Sequence, residues 1–146
     1  MITINQIRSS EYLLINIIFA LLFLSIFIYS LIFASSGAYP VKSVCDDIDT
    51  PICISKGLSR AFSQIMLGNI EEAKSLNKHS LLIFLFFLIQ IISRVTLSVF
   101  YTISIKKRMV INLDIAFSSL LFIYCFKGFL IKLFETFFSF TNTYTY

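Results

Sequence analysis

The chain of 146 residues has no tryptophan, two prolines, four glycines, three cysteines and one histidine, and only 14% of it is charged. With so little proline and glycine, and with no serine-rich run or internal repeat, nothing divides it into separate units, so a single domain is expected. His79 stands alone, and Cys45, Cys53 and Cys125 are scattered, with no Cys-x-x-Cys pair and no histidine cluster of the kind that zinc or iron needs. No metal and no cofactor are therefore expected. Paired carboxylates, a nucleophile beside a base and a phosphate-binding loop are also missing, so no residue is assigned a catalytic role. The net charge of +4 comes without a helix-turn-helix, zinc-finger or RNA-binding signature, which argues against nucleic acid as a partner.

What the chain does have is apolar surface. Hydrophobic residues make up 58% of it and the mean hydropathy is +0.87, more than a soluble domain of this size buries, so membrane lipid is the first expected partner. Residues 12–34 carry no charge over 23 positions, long enough as a helix to cross a hydrocarbon core of about 30 Å. A signal peptide is the rival reading, with Arg8 before the run and Ser36-Gly37-Ala38 after it. The run exceeds the usual apolar length of such peptides, which favours an uncleaved anchor. A second block, 80–105, carries Arg94 inside it, and its latter half alternates apolar and hydroxyl residues as a strand would. In lipid an isolated strand leaves its backbone unpaired, so one long helix is expected. A third span is expected over 109–126. Beyond Lys127 and Gly128, the run to Phe140, with Lys132 and Glu135 three positions apart, reads as a helix end lying in the interface. The fold class is thus an all-α integral membrane protein with three spans. Lys106, Lys107 and Arg108 occupy the short turn between the second and third spans, which places that turn and the amino terminus in the cytoplasm and residues 35–79 and the carboxyl terminus outside.

The loop between the first two spans is the most specific segment. Leu58, Ala61, Phe62, Ile65 and Met66 make an apolar helical stripe after Gly57, Gly68 ends that helix, and Asn69 with Glu72 starts another, so an amphipathic hairpin is predicted over 57–77. Gly57 or Ser59 would begin the first helix. With Lys56 and Arg60 beside that start, these four residues are candidate ligands for an anion such as a phospholipid headgroup. In the plainer alternative, Gly57 makes a turn, Ser59 caps, and Lys56 and Arg60 snorkel or pair with Asp49 or Glu72. Cys45 and Cys53 share the loop and are expected to form a disulfide in an oxidising compartment, worth about 2.5 kcal/mol, while Cys125 stays a thiol in the third span.

The order Cys53-x-x-x-Gly57-Leu58-Ser59-Arg60-Ala61-Phe62, then Gly68-Asn69, Ala73 and Leu76-Asn77, resembles a family of small bacterial integral membrane proteins of undefined function. Their signature is Cys-Pro-x-Cys-Gly-Leu-Thr-Arg-Ala-Phe, followed by Gly-Asp and Leu-Asn-Pro. The resemblance covers residues 53–80. Ser59 stands for threonine and Asn69 for aspartate, Ile54 and Lys78 replace the two prolines, and Lys56 stands at the second cysteine. It implies a bacterial protein of the inner, cytoplasmic membrane.

Within the spans, Gln90, Arg94, Ser98 and Tyr101 share one helix face, and a guanidinium at mid-membrane costs about 2.5–3.5 kcal/mol on insertion scales, so this face should meet protein or water. Asn16 and Asp114 are expected at similar depth. Counted from helix ends at 105 and 109, Arg94 stands about 9 Å from the level of Asp114, which argues against a direct bridge and for an acid or carbonyl supplied by another subunit. Three spans leave little interior for a solute path. The leading expectation is a non-catalytic accessory or structural subunit of a larger membrane assembly, with other membrane subunits or copies of itself as partners. The alternatives are an interfacial enzyme or headgroup binder acting through Cys53, Lys56 and Arg60, and an oligomeric pore or carrier lined by the Arg94 face.

Overall fold

The computed structural model describes residues 4–34 and 55–143, with side chains over 11–34 and 55–135. Five helices follow in order: α1 (Ile4–Ile32), α2 (Leu58–Met66), α3 (Ile70–Leu76), α4 (Ser80–Ile103) and α5 (Lys107–Thr143). Three of them, through the stretches Glu11–Ile32, Ser80–Ile103 and Lys107–Glu135, are long and apolar enough to cross a membrane. No strand occurs among the described residues. The alternating segment after Arg94 is helical to Ile103, as the backbone-pairing argument requires. Both proposed disulfide cysteines, Cys45 and Cys53, lie outside the described residues, as does Asp49. Cys125 is a buried free thiol in α5.

Helix α4 is the hub. α1 and α5 pack on α4 and, among the described residues, their backbones do not pack on each other, while the α2–α3 hairpin lies against α1 and α4. The hairpin follows from its glycines and small residues. Gly57, at φ 77, precedes α2 in the left-handed region, and a Cβ there would stand 2.7 Å from the Leu76 carbonyl oxygen, so the end of α3 can approach only a glycine. Gly68, at φ 86, terminates α2. Ala61 and Ala73 are fully buried where the two short helices cross. Asn77 fastens the far end: its Nδ2 donates to the Lys56 carbonyl (3.1 Å) and its Oδ1 accepts from the His79 backbone N–H (2.9 Å). Two capping expectations fail. Neither Ser59 nor Asn69 makes a side-chain cap; Ser59 sits within the first turn of α2, and the Asn69 amide donates to Gln64 Oε1 instead (2.9 Å).

The third span also differs from the expected 109–126. Helix α5 is continuous for 37 residues, about 55 Å at the α-helical rise, and passes through Gly128 without a break. A glycine inside a helix costs only about 1 kcal/mol relative to alanine, and here it has a use. A Cβ at Gly128 would lie 2.7 Å from His79 Cε1, so the missing side chain lets α5 close on the start of α4.

Candidate functional site

Two clusters hold the helices together, one polar and one aromatic. The polar cluster lies within the spans, in the half nearer the α4–α5 turn. Arg94 projects from the hub helix toward both of its neighbours: Nη1 donates to Asp114 Oδ2 at 2.6 Å and to Asn16 Oδ1 at 2.9 Å, and Nη2 donates to Ser118 Oγ at 3.1 Å. The Tyr12 hydroxyl donates to the same Asp114 oxygen at 2.9 Å. Ser118 Oγ lies 3.3 Å from Asp114 Oδ1 and 3.4 Å from Gln90 Oε1, and its one proton serves either acceptor in turn. The Arg94 guanidinium also stands 5.5 Å from the centroid of the Phe19 ring. The side chains of Arg94 and Asp114 are 15% and 3% exposed, and Asn16 and Gln90 are buried. Two donors within the cluster, Asn16 Nδ2 and Arg94 Nε, have no partner.

This ion pair corrects the expectation that Arg94 and Asp114 stand at different depths. Helix α4 ends at Ile103 rather than 105, and α5 begins at Lys107 rather than 109. Each shift of two residues moves a side chain about 3 Å, and together they shrink the 9 Å offset to about 3 Å, well within the reach of an arginine. The guanidinium of α4 therefore finds its counter-charge within the chain, and the need for an external acid disappears, while Arg94 Nε stays without a partner. Asn16 and Asp114 do lie at one level, and the guanidinium joins them. The structure brings Asn16, Gln90, Arg94 and Asp114 together within the candidate spans, and sequence reasoning missed Tyr12 and Ser118. A signal for both exists: Tyr12/Asn16, Gln90/Arg94 and Asp114/Ser118 are each four residues apart, one such pair per span.

The aromatic cluster lies at the opposite end, under the hairpin. Phe27 of α1, Phe62 of α2 and Ile83 and Phe84 of α4 are buried together, with the Phe84 ring edge-on to Phe27 (4.9 Å between centroids) and to Phe62 (5.5 Å). Ser63, buried beside Phe62, donates to the Ser30 carbonyl at 2.8 Å and so joins α2 to the end of α1. Of the candidate anion ligands, Lys56, Ser59 and Arg60 are exposed around the start of α2, and Gly57 is partly buried. Among the described residues Lys56 and Arg60 take part in no ion pair, so the pairing of Arg60 with Glu72 is not made. The structure thus brings three basic or hydroxyl side chains to one exposed helix start.

Chemically, the polar cluster is a set of mutually engaged groups walled by helices, and no group of three or more metal-ligating side chains occurs among the described residues. His79, the sole imidazole, packs on Gly128. Comparison of the chain with protein-family models, with curated proteins and with solved structures returns no match to any of them.

Proposed function

We propose that this protein is a non-catalytic membrane subunit that works by docking its spans against other spanning helices, with the outward face of α5 as the contact. The observation that carries this reading is Asn112. Three exposed hydroxyls on the spans bond to their own helix: Ser25 donates to the Leu22 carbonyl, Thr96 to Ile92 and Thr102 to Val99. Asn112 is exposed five residues into α5 and has no hydrogen-bond partner among the described residues. A carboxamide facing hydrocarbon is costly, and a neighbouring helix relieves that cost by bonding it. Ala116 and Ser119, exposed at the next positions of the same face, are small enough to let a second backbone approach. The partner is a spanning helix that presents small residues and a hydrogen-bonding side chain. In this reading the basic α4–α5 turn lies in the cytoplasm and the hairpin outside a bacterial inner membrane, by the positive-inside rule.

Mild-detergent purification together with cross-linking through an Ala116→Cys variant tests it. A cross-linked partner, or a second copy of the chain, should appear, and Asn112→Leu should reduce the co-purified amount at least fivefold. A chain that stays monomeric and uncross-linked in native membranes would sink the proposal.

A second reading has its own support. Lys56, Ser59 and Arg60 are exposed together beside the start of α2, and the two cations lack an acidic partner among the described residues, so a headgroup-binding or interfacial role at the hairpin remains the runner-up. Loss of lipid retention in Arg60→Ala with unchanged assembly would favour it. A pore lined by Arg94 has less support, because that side chain is engaged inside a single copy.

A further inference from the structure

At the end opposite the hairpin, the turn between α4 and α5 encloses an open pocket of about 660 Å³, walled by Tyr101, Ile105, Lys106, Lys107, Arg108 and Met109. Three consecutive cations thus line one small space. No ion pair engages any of them among the described residues. The Lys107 ammonium rests 5.2 Å from the centroid of the Tyr101 ring, and that ring is itself buried (2% exposed) against Tyr12, at 4.5 Å between centroids. The pocket wall therefore holds a cation in place without neutralising it. The turn is also tightly built: the Lys106 N–H lies 3.2 Å from Ser104 Oγ, and the Met109 and Val110 N–H groups return to the Lys106 carbonyl.

Position selects the ligand's chemistry. The pocket sits between the end of the span Ser80–Ile103 and the start of the span at Lys107, the level at which lipid headgroups lie. Around it, Ile103, Ile105 and Met109 are strongly exposed, Ile105 completely. Cations over a phosphate and apolar side chains over acyl chains are the two halves of an anionic phospholipid.

We propose that this pocket binds a phosphate group, and that its source is the headgroup of an anionic phospholipid whose acyl chains pack beside Ile105 and Met109. The site is separate from the hairpin residues Lys56 to Arg60 and does not depend on the subunit reading. Arg108 presents a fork suited to two phosphate oxygens, while Lys106 and Lys107 act as point charges.

Native mass spectrometry of the full-length protein, released from micelles equilibrated with equal phosphatidylglycerol and phosphatidylcholine, reads the binding directly. The wild type should retain phosphatidylglycerol in excess. Each of the single variants Lys106→Gln, Lys107→Gln and Arg108→Gln should lower that retention about fivefold, and the triple variant by tenfold or more. A charge-matched control, Lys74→Gln/Lys78→Gln/Lys127→Gln, should retain wild-type selectivity. Should the triple variant insert poorly, the single variants carry the test alone. A further arm adds millimolar inorganic phosphate. Displacement of lipid by it would assign the pocket to soluble phosphates rather than headgroups and overturn the lipid source, while indifference supports it. Equal losses in the control and in the turn variants, or no selectivity in the wild type, overturn the proposal.

Discussion

The two ends of this molecule are held by different forces. Toward the α4–α5 turn, one guanidinium gathers a carboxylate, an amide and a hydroxyl from both flanking helices. Under the hairpin, phenylalanine rings meet edge to face with no charge among them. The difference reflects the solvent. Within the spans, moving an apolar side chain from lipid to protein gains little, so α1 and α5, whose backbones do not pack on each other, are joined by polar groups that lipid cannot satisfy, Tyr12 to Asp114 directly and Asn16 through Arg94. At the hairpin water is near, apolar burial is favourable again, and Phe62 and Ala61 close the end as they would in a soluble core.

The comparison breaks most easily at the charged end. Asp114→Leu leaves Arg94 buried without its counter-charge and should destabilise the fold by about 3–5 kcal/mol, read as unfolding in mixed micelles. The double replacement Arg94→Leu/Asp114→Leu should recover most of that loss, because it removes both costs of burial together. If the double variant is as unstable as the single one, the ion pair is not what joins α4 to α5. At the aromatic end the same logic has no rescue partner: Phe62→Ala should cost about 3 kcal/mol, the usual penalty for emptying such a site, and should loosen the hairpin while leaving the spans inserted. Limited proteolysis between 55 and 78, compared with the wild type, separates the local effect from a global one.

How much of this was legible beforehand differs between the ends in a similar way. The spans, the hairpin and Gly68 follow from periodicity and from residue types that have few other uses. Gly57 was readable as a turn, but its closeness to the Leu76 carbonyl is a tertiary fact that no local pattern carries. The ion pair was misjudged because depth along a membrane is counted from helix ends. Ends are the least determined part of a pattern, and two residues at each of two ends were enough to separate partners that meet. The spacing of polar residues four apart in each span was the sounder signal, since it needs no boundary at all. The expected third span ended at 126, where apolar residues begin to mix with charges, but α5 runs on through Gly128, which in the structure is a seat for His79.

A smaller effect sharpens the account of the hairpin. Gly57→Ala adds a side chain at φ 77 and places it 2.7 Å from a backbone oxygen that cannot move away easily, so a loss of about 1–3 kcal/mol is expected. Asn77→Ala, which frees the Lys56 carbonyl and the His79 N–H, should cost about 1–3 kcal/mol by the same unfolding measurement. Were Asn77→Ala neutral while Gly57→Ala was severe, close packing rather than hydrogen bonding would hold the hairpin's ends together.

The smallest predicted effect is a response to pH where α4 meets α5. Burial of His79 against Gly128, with Lys78 and Lys132 nearby, pushes its imidazole below the ordinary value of 6.5. An undocked ring therefore takes up a proton at a pH where the docked ring does not, so the undocked state binds more protons and docking strengthens as pH rises. The contribution is fully present above the ordinary histidine range, declines as pH falls below about 6.5 and levels off below the depressed docked value. Hydrogen exchange of the amides of 78–82 should accelerate modestly between about pH 7.5 and pH 5, after correction for the intrinsic rate, whereas those around Gln90 should not respond. His79→Gln, neutral at every pH, should abolish the difference. An equal acceleration in that variant would place the titrating group elsewhere and leave the Gly128 contact without a role in it.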